Sequence, residues 1–205
     1  MLHCCCAPCS SAILEWMVGE GLRPGLFFSN SNIVPGEEYA LRRSELVRYA
    51  GLYSLEVADD EYDHLSWLDA VSDELATRTG NGDPAAFPER GERCLGGFRY
   101  RLRRAADYAL ANGYTVLTTT LASSRWKDLS QVDEAGRSAV ECALAAFGAG
   151  VTGPECLKGQ AKDARLLWWP QNWRRGGLQE RRESIIREKS LYNQDYCGCE
   201  FSGRG

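Results

Sequence analysis

The chain has 205 residues, 44% of them hydrophobic, and a formal net charge of −4. That length and apolar content bury a full core without help from disulfides or metal, so one domain over 1–205 is expected. The acidic balance excludes a protein that coats nucleic acid with its whole surface, and the lack of a leader pattern or bilayer-length apolar run predicts a soluble cytoplasmic protein with no membrane partner.

In chain order, residues 1–4 read as a short strand. A helix follows over 10–19, with Ile13, Leu14 and Met17 on one face and Gly21 as its stop. Residues 25–29 form a second strand, and 30–36 a polar loop carrying Pro35. Helical periodicity returns over 37–50 through Tyr39, Leu41, Leu46 and Tyr49, followed by a strand over 54–58 and a helix over 64–77. The Gly-, Pro- and charge-rich stretch 80–91 is a loop. A helix over 94–111 stops at Asn112-Gly113 and leads into the β-branched run 114–120, the best strand in the chain. A helix over 129–147, a last strand over 165–168 and a final helix over 177–190 complete the pattern. Strands alternating with helices predict an α/β fold with a mostly parallel sheet flanked by helices. In such sheets ligands bind beyond the carboxyl ends of the strands, where the turn 5–9 and the loop 119–124 are placed to meet.

The cysteines carry the chemistry. Six of the nine lie at the two extremes, Cys4, Cys5, Cys6 and Cys9 at one end and Cys197 and Cys199 at the other. An odd count in a reducing compartment points to metal or redox work rather than a disulfide framework. Adjacent cysteines at a strand-to-helix turn can converge on a polynuclear centre, and Cys94 is the obvious distant partner. A helix start just after Cys9 favours thiolate there. Cys4 and Cys9 also suit plain burial as small hydrophobes, a reading that fits Cys4 better than the Cys5-Cys6 pair. Cys197-Gly198-Cys199 is too closely spaced for an unstrained disulfide, which suits a redox switch. A zinc half-site completed by Cys142 and Cys156 competes, although Cys142 falls in a helix pattern.

Other side chains are more ambiguous. His3 is a neighbour of the cysteines or a satisfied strand histidine, and His64 is a helix-start surface residue. Trp168, Trp169 and Trp173, interleaved with Arg174 and Arg175, are candidates for stacking on an unpaired base, with core packing the competitor, favoured for Trp168. Arg99, Arg101, Arg103 and Arg104, and again Arg174, Arg175, Arg181 and Arg182, form either a basic face or two solvated helix faces.

With these residues assembled, the chain resembles the QueH-type epoxyqueuosine reductases. The resemblance rests on Leu2-His3-Cys4-Cys5-Cys6-Ala7-Pro8-Cys9, on Asn30-Ser31-Asn32-Ile33-Val34-Pro35 with Glu38-Tyr39 and Arg42, on Arg93-Cys94, on Thr118-Thr119-Thr120-Leu121, and on Tyr192-Asn193-Gln194-Asp195-Tyr196-Cys197-Gly198-Cys199. It runs over nearly the whole length. It implies a Rossmann-like, adenine nucleotide alpha hydrolase-like domain that reduces the epoxide of epoxyqueuosine at the wobble position of tRNA to give queuosine. The implied partners are tRNA carrying epoxyqueuosine and an unidentified electron donor. The implied cofactor is a 4Fe-4S cluster on Cys5, Cys6 and Cys94, with an additional iron ion a further expectation, and Cys197 and Cys199 are the implied redox-active pair.

Three departures accompany the resemblance. Gly97 stands where the family pattern places the second cysteine of a C-x-x-C pair, leaving Cys9 or Cys4 as substitutes, a cluster with one open iron, or a copy that has lost the cluster. Val34 replaces an expected histidine, and Ala122-Ser123-Ser124-Arg125-Trp126-Lys127 replaces a loop with a Pro-His pair. A cluster-dependent tRNA sulfur transferase would need a glycine- and serine-rich phosphate loop after the first strand, where this chain has Pro8 and no glycine. A metal-binding family member without reductase activity is the third reading.

Overall fold

The computed structural model describes residues 1–148 and 165–202. Five short strands, β1 Leu2–Cys4, β2 Leu26–Phe28, β3 Val57–Asp59, β4 Val116–Thr119 and β5 Leu167–Trp168, form one sheet in the order β3-β2-β1-β4-β5. Every pairing is parallel. The alternation predicted a mostly parallel sheet, and the observed order is Rossmann-like as the resemblance implies: the first strand is central, with a switch point at β1/β4 where chain direction around the sheet reverses. Leu2 pairs in register with Leu26 and Thr118, and all three residues of β1 are buried. A central strand covered on both faces has no polar side, which is why these triplets show no alternation.

Among the described residues six helices cover the sheet: α1 Ala7–Gly19, α2 Gly36–Gly51, α3 His64–Thr79, α4 Glu92–Ala111, α5 Leu129–Gly148 and α6 Leu178–Glu188. α1 packs between α2 and α6, and α4 between α3 and α5. Leu14, Phe28, Leu46, Leu102 and Leu117 are fully buried where these layers meet the sheet.

Two element starts move by three residues from the sequence expectation, the others by two or fewer. α1 begins at Ala7 rather than at 10, because the Cys6 side chain caps it by accepting the Cys9 N–H and Pro8 lies in its first turn. β3 begins at Val57 rather than 54, because Ser54 sits at φ +53° in the turn that closes α2. Trp168 is half-buried in β5 and lies over α5 at Gly136, where an added Cβ would approach its indole to 2.2 Å. Only glycine admits that approach. Cys156, half of the zinc alternative, lies outside the described residues.

Candidate functional site

The site begins where β1 ends. Beyond Cys4 the chain turns into α1, and the Sγ atoms of Cys5, Cys6 and Cys9 lie within 4.8 Å of one another, all three buried. Cys5 and Cys6 Sγ are 3.9 Å apart, and the Cys9 N–H donates to Cys6 Sγ at 3.4 Å. From the neighbouring strand end, Thr120 accepts the Cys5 N–H at 3.0 Å and donates its hydroxyl to Cys5 Sγ at 3.4 Å. The two loops that the sequence placed on one side of the sheet do meet there.

Charge is unevenly shared in the trio. Hydrogen bonding with Cys5 and then Cys6 holds Cys9 well below the ordinary thiol range. Burial pushes Cys6 well above it. For Cys5 the hydrogen bond with Cys6 lowers the pKa, but Cys9 and burial outweigh it, so the net shift is upward. Three close sulfurs, one with its pKa lowered, form a group able to bind a metal ion. Cys4 does not join them. It is fully buried, its thiol donates to the Leu2 carbonyl at 3.5 Å, and burial pushes its pKa up to about 12.

A cavity of about 370 Å³ opens over the trio, and Cys5, Cys9, Cys94 and Cys197 all line it. Cys94 lies in the first turn of α4 and accepts the Arg90 N–H at 3.3 Å, with burial raising its pKa. Gly97 is one turn further on. A Cβ there would lie 3.4 Å from Cζ2 and 3.5 Å from Nε1 of the buried Trp67, in ordinary van der Waals contact with that indole. Of the two substitutes expected for the missing thiol, Cys9 is in the group and on the cavity, and Cys4 is in neither. Among the described residues no second group of close metal donors exists for an additional iron.

The carboxy-terminal tail closes the other wall. After α6 the chain returns across the β1 and β2 ends, where Arg42 of α2 donates to the Cys197 carbonyl at 2.9 Å and the Tyr196 carbonyl at 3.3 Å. Val34 N–H donates to the Gly198 carbonyl at 2.8 Å, and Gln194 Nε2 reaches Cys6 Sγ at 2.9 Å. Gly198 adopts φ +97°, and a Cβ there would meet Arg42 Nη1 at 3.0 Å and Ile33 Cγ1 at 3.1 Å. The middle residue of the CGC segment therefore has to be glycine. Cys197 faces the cavity, whereas Cys199 packs against the Trp67 cluster, and burial pushes its pKa to about 11.

Several candidates take other roles. His3 donates Nε2–H to the Ser29 carbonyl and accepts from Thr119 at Nδ1, and burial followed by Arg101 lowers its pKa to about 4, so it is a neutral strand histidine. His64 starts α3 as expected, but it bridges the Ser31 carbonyl and Glu200 and so ties down the tail. Trp173 is 3% exposed with its N–H on the Thr119 carbonyl, and Trp168 bonds Asp133, so neither offers a face to a base; Trp169 stands edge-on to Trp173. Packing won because the run 168–173 lies along the sheet edge and α1.

Arg99 and Arg103 are engaged with carboxylates, as are Arg104 and Arg181, so the two arginine runs are not a single basic face. Arg101 differs: it is buried on the cavity, donating to the Gly97 carbonyl and Asn30. Lys127, in the loop without a Pro-His pair and not among the expected site residues, also lines the cavity. Burial acts to lower its pKa, but Cys197, Cys5 and Cys9 outweigh it, and the ammonium pKa is raised. The only available signal was its place just beyond the loop that follows β4. Among the described helices none is long and apolar enough to cross a membrane.

Comparison with known proteins gives a consistent result. The family model described as epoxyqueuosine reductase QueH matches residues 1–148 and 154–205. A protein of Histophilus somni named epoxyqueuosine reductase QueH is 35% identical over all of this chain and 72% of its own length. Its namesakes in Haemophilus influenzae and Acinetobacter baylyi are 33% and 32% identical, with 71% and 80% of their lengths covered.

Proposed function

Because this chain belongs to the epoxyqueuosine reductase QueH family, we propose that it reduces the epoxide of epoxyqueuosine at the wobble position of tRNA, giving queuosine. The observation that carries the reading is one cavity lined by cysteines from both chain ends, the Cys5 and Cys9 sulfurs on one wall and Cys197 on the other. The reading makes the protein a cytoplasmic enzyme, where tRNA and reducing thiols are both at hand.

In this proposal Cys5, Cys6 and Cys94 hold a 4Fe-4S cluster, and Cys9 supplies the thiolate that Gly97 does not. The donor set suits the group: three close sulfurs, with Cys94 on the same cavity and the Cys9 pKa lowered by its neighbours. When bound, such a cluster supplies single electrons and a Lewis-acidic iron. The family's additional iron would have to borrow donors from the same cavity.

The protein's own residues do the rest. Cys197 and Cys199 together carry two electrons and two protons, which balances the reaction: both carbon-oxygen bonds of the epoxide break, a carbon-carbon double bond forms, the oxygen leaves as water and the pair closes to a disulfide. Cys199 enters as a protonated thiol, since its pKa lies near 11. Lys127 and Arg101 place fixed positive charge where oxygen and sulfur become anionic. A separate electron donor then reopens the disulfide.

The test is anaerobic reconstitution with iron and sulfide, followed by incubation of the reduced protein with epoxyqueuosine-bearing tRNA and nucleoside mass spectrometry. Queuosine formed in amounts matching the dithiol supports the reading. Zinc-only binding, or an intact cluster with a competent reductant and no queuosine, rejects it. The sulfur-transferase alternative gains nothing from the α1 amino terminus, which Cys6 caps.

A further inference from the structure

The loop between β4 and α5 is held rigid at its backbone and presents one indole to solvent. Two guanidinium groups grip it from outside. Arg90 donates to the carbonyls of Arg125 at 3.1 Å and Trp126 at 3.0 Å, while Arg174 donates to those of Ser124 and Lys127. Four consecutive carbonyls are thereby occupied. The Trp126 side chain, by contrast, is 75% exposed, and among the described residues it has no ring partner and no hydrogen bond on its indole N–H. It is the most exposed large hydrophobic side chain described, and it stands on the lining of the cysteine cavity.

We propose that Trp126 is a stacking platform for an unpaired base of the tRNA anticodon loop next to the nucleotide being reduced. The inference rests on the tRNA reading above. The cavity of about 370 Å³ has to hold both the cysteine-bound cluster and the nucleotide being reduced, so it leaves room for no more than one base with its substituent, and the neighbouring nucleotides must lie on the rim. An indole on a loop whose carbonyls are already held costs little backbone freedom when a base stacks on it, and stacking is blind to base identity. The rim carries the matching charge: Arg90, Lys127 and Arg182 line the cavity, and Arg125, 71% exposed and 3.9 Å from Glu183, flanks the indole. Glu89, Asp128 and Asp195 share the lining, but Asp128 is engaged in capping α5 through Ser130 and Gln131. In a chain of net charge −4, this concentration of cations suits a phosphate backbone.

The experiment measures binding of a fluorescein-labelled anticodon stem-loop RNA by anisotropy, alongside steady-state reduction of epoxyqueuosine-bearing tRNA, for the reconstituted wild type, Trp126→Ala and Trp126→Phe. Trp126→Ala is expected to weaken stem-loop binding and raise KM by about tenfold with kcat nearly unchanged, and Trp126→Phe to retain most of the binding. Unchanged binding and KM in Trp126→Ala overturns the inference while leaving the reductase reading intact. Equal losses in both variants overturn stacking in favour of a steric or folding role, which iron content and thermal melting would register. A wild type that neither binds the stem-loop nor reduces the tRNA overturns the tRNA reading itself, and this inference with it.

Discussion

Cys5, Cys6 and Cys9 stand on the end of a central strand and the first turn of a helix, whereas Cys197 and Cys199 stand on a tail without regular structure, held by side chains reaching out of α2 and α4. The first group is positioned by the hydrophobic core itself, since β1 and the apolar face of α1 are buried. The second is positioned by Arg42, Arg93, His64 and Glu38, each donating or accepting across the tail. A ligand set must keep its geometry through many turnovers, and a dithiol must reach an outside reductant. The architecture separates the two demands by anchoring one in the core and docking the other with a few polar contacts.

The largest effects fall on the core-anchored cysteines. Cys6→Ala removes a sulfur and the α1 cap together, and is expected to abolish stoichiometric iron and sulfide binding, measured by chemical analysis and absorption of the reconstituted protein. Cys9→Ala is next: if Cys9 is the fourth ligand, iron content falls well below that of wild type, whereas Gly97→Cys in the wild-type background leaves it unchanged. Retained iron in Cys9→Ala assigns Cys9 to packing instead.

On the docked side the effects are smaller and fall on turnover. Arg42→Ala removes charged hydrogen bonds to the Cys197 and Tyr196 carbonyls, and should lower kcat on the order of tenfold with iron content preserved. Amide exchange over 192–202 should accelerate in parallel; an unchanged tail would refute the docking role. Gly198→Ala forces a side chain into φ +97° against Arg42 and Ile33, and should cost up to about tenfold in turnover, again without iron loss. The mildest effect is chemical. With a pKa near 11, Cys199 should be alkylated by iodoacetamide at pH 8 far more slowly than the exposed Cys142, and the difference should shrink as pH rises toward 11. Equal rates, read by peptide mass spectrometry, would show that the tail is not docked in solution.

Local pattern made the strand and helix alternation, the parallel sheet and the Cys5-Cys6 pair readable, because strand burial and turn chemistry act over neighbouring residues. It left Trp173 open between stacking and packing, and that residue is buried, while Trp126, in the loop that lacks a Pro-His pair, is 75% exposed. Exposure depends on what the rest of the chain covers, and no window of sequence contains that. Arg101 was likewise one of four in a helical arginine run, and only the packing of α4 between α3 and α5 turned it inward.

The sequence by itself determined the chemistry on offer, namely two cysteine groups and a glycine where a thiol was expected at 97, because residue identity is local. Tertiary structure alone decided that residues 188 positions apart, Gln194 and Cys6, touch, that Cys9 rather than Cys4 joins the group, and that position 97 faces an indole. Those outcomes follow from which faces the parallel crossovers bury, since chain connectivity around β1 brings strand ends, α4 and the returning tail to one edge of the sheet.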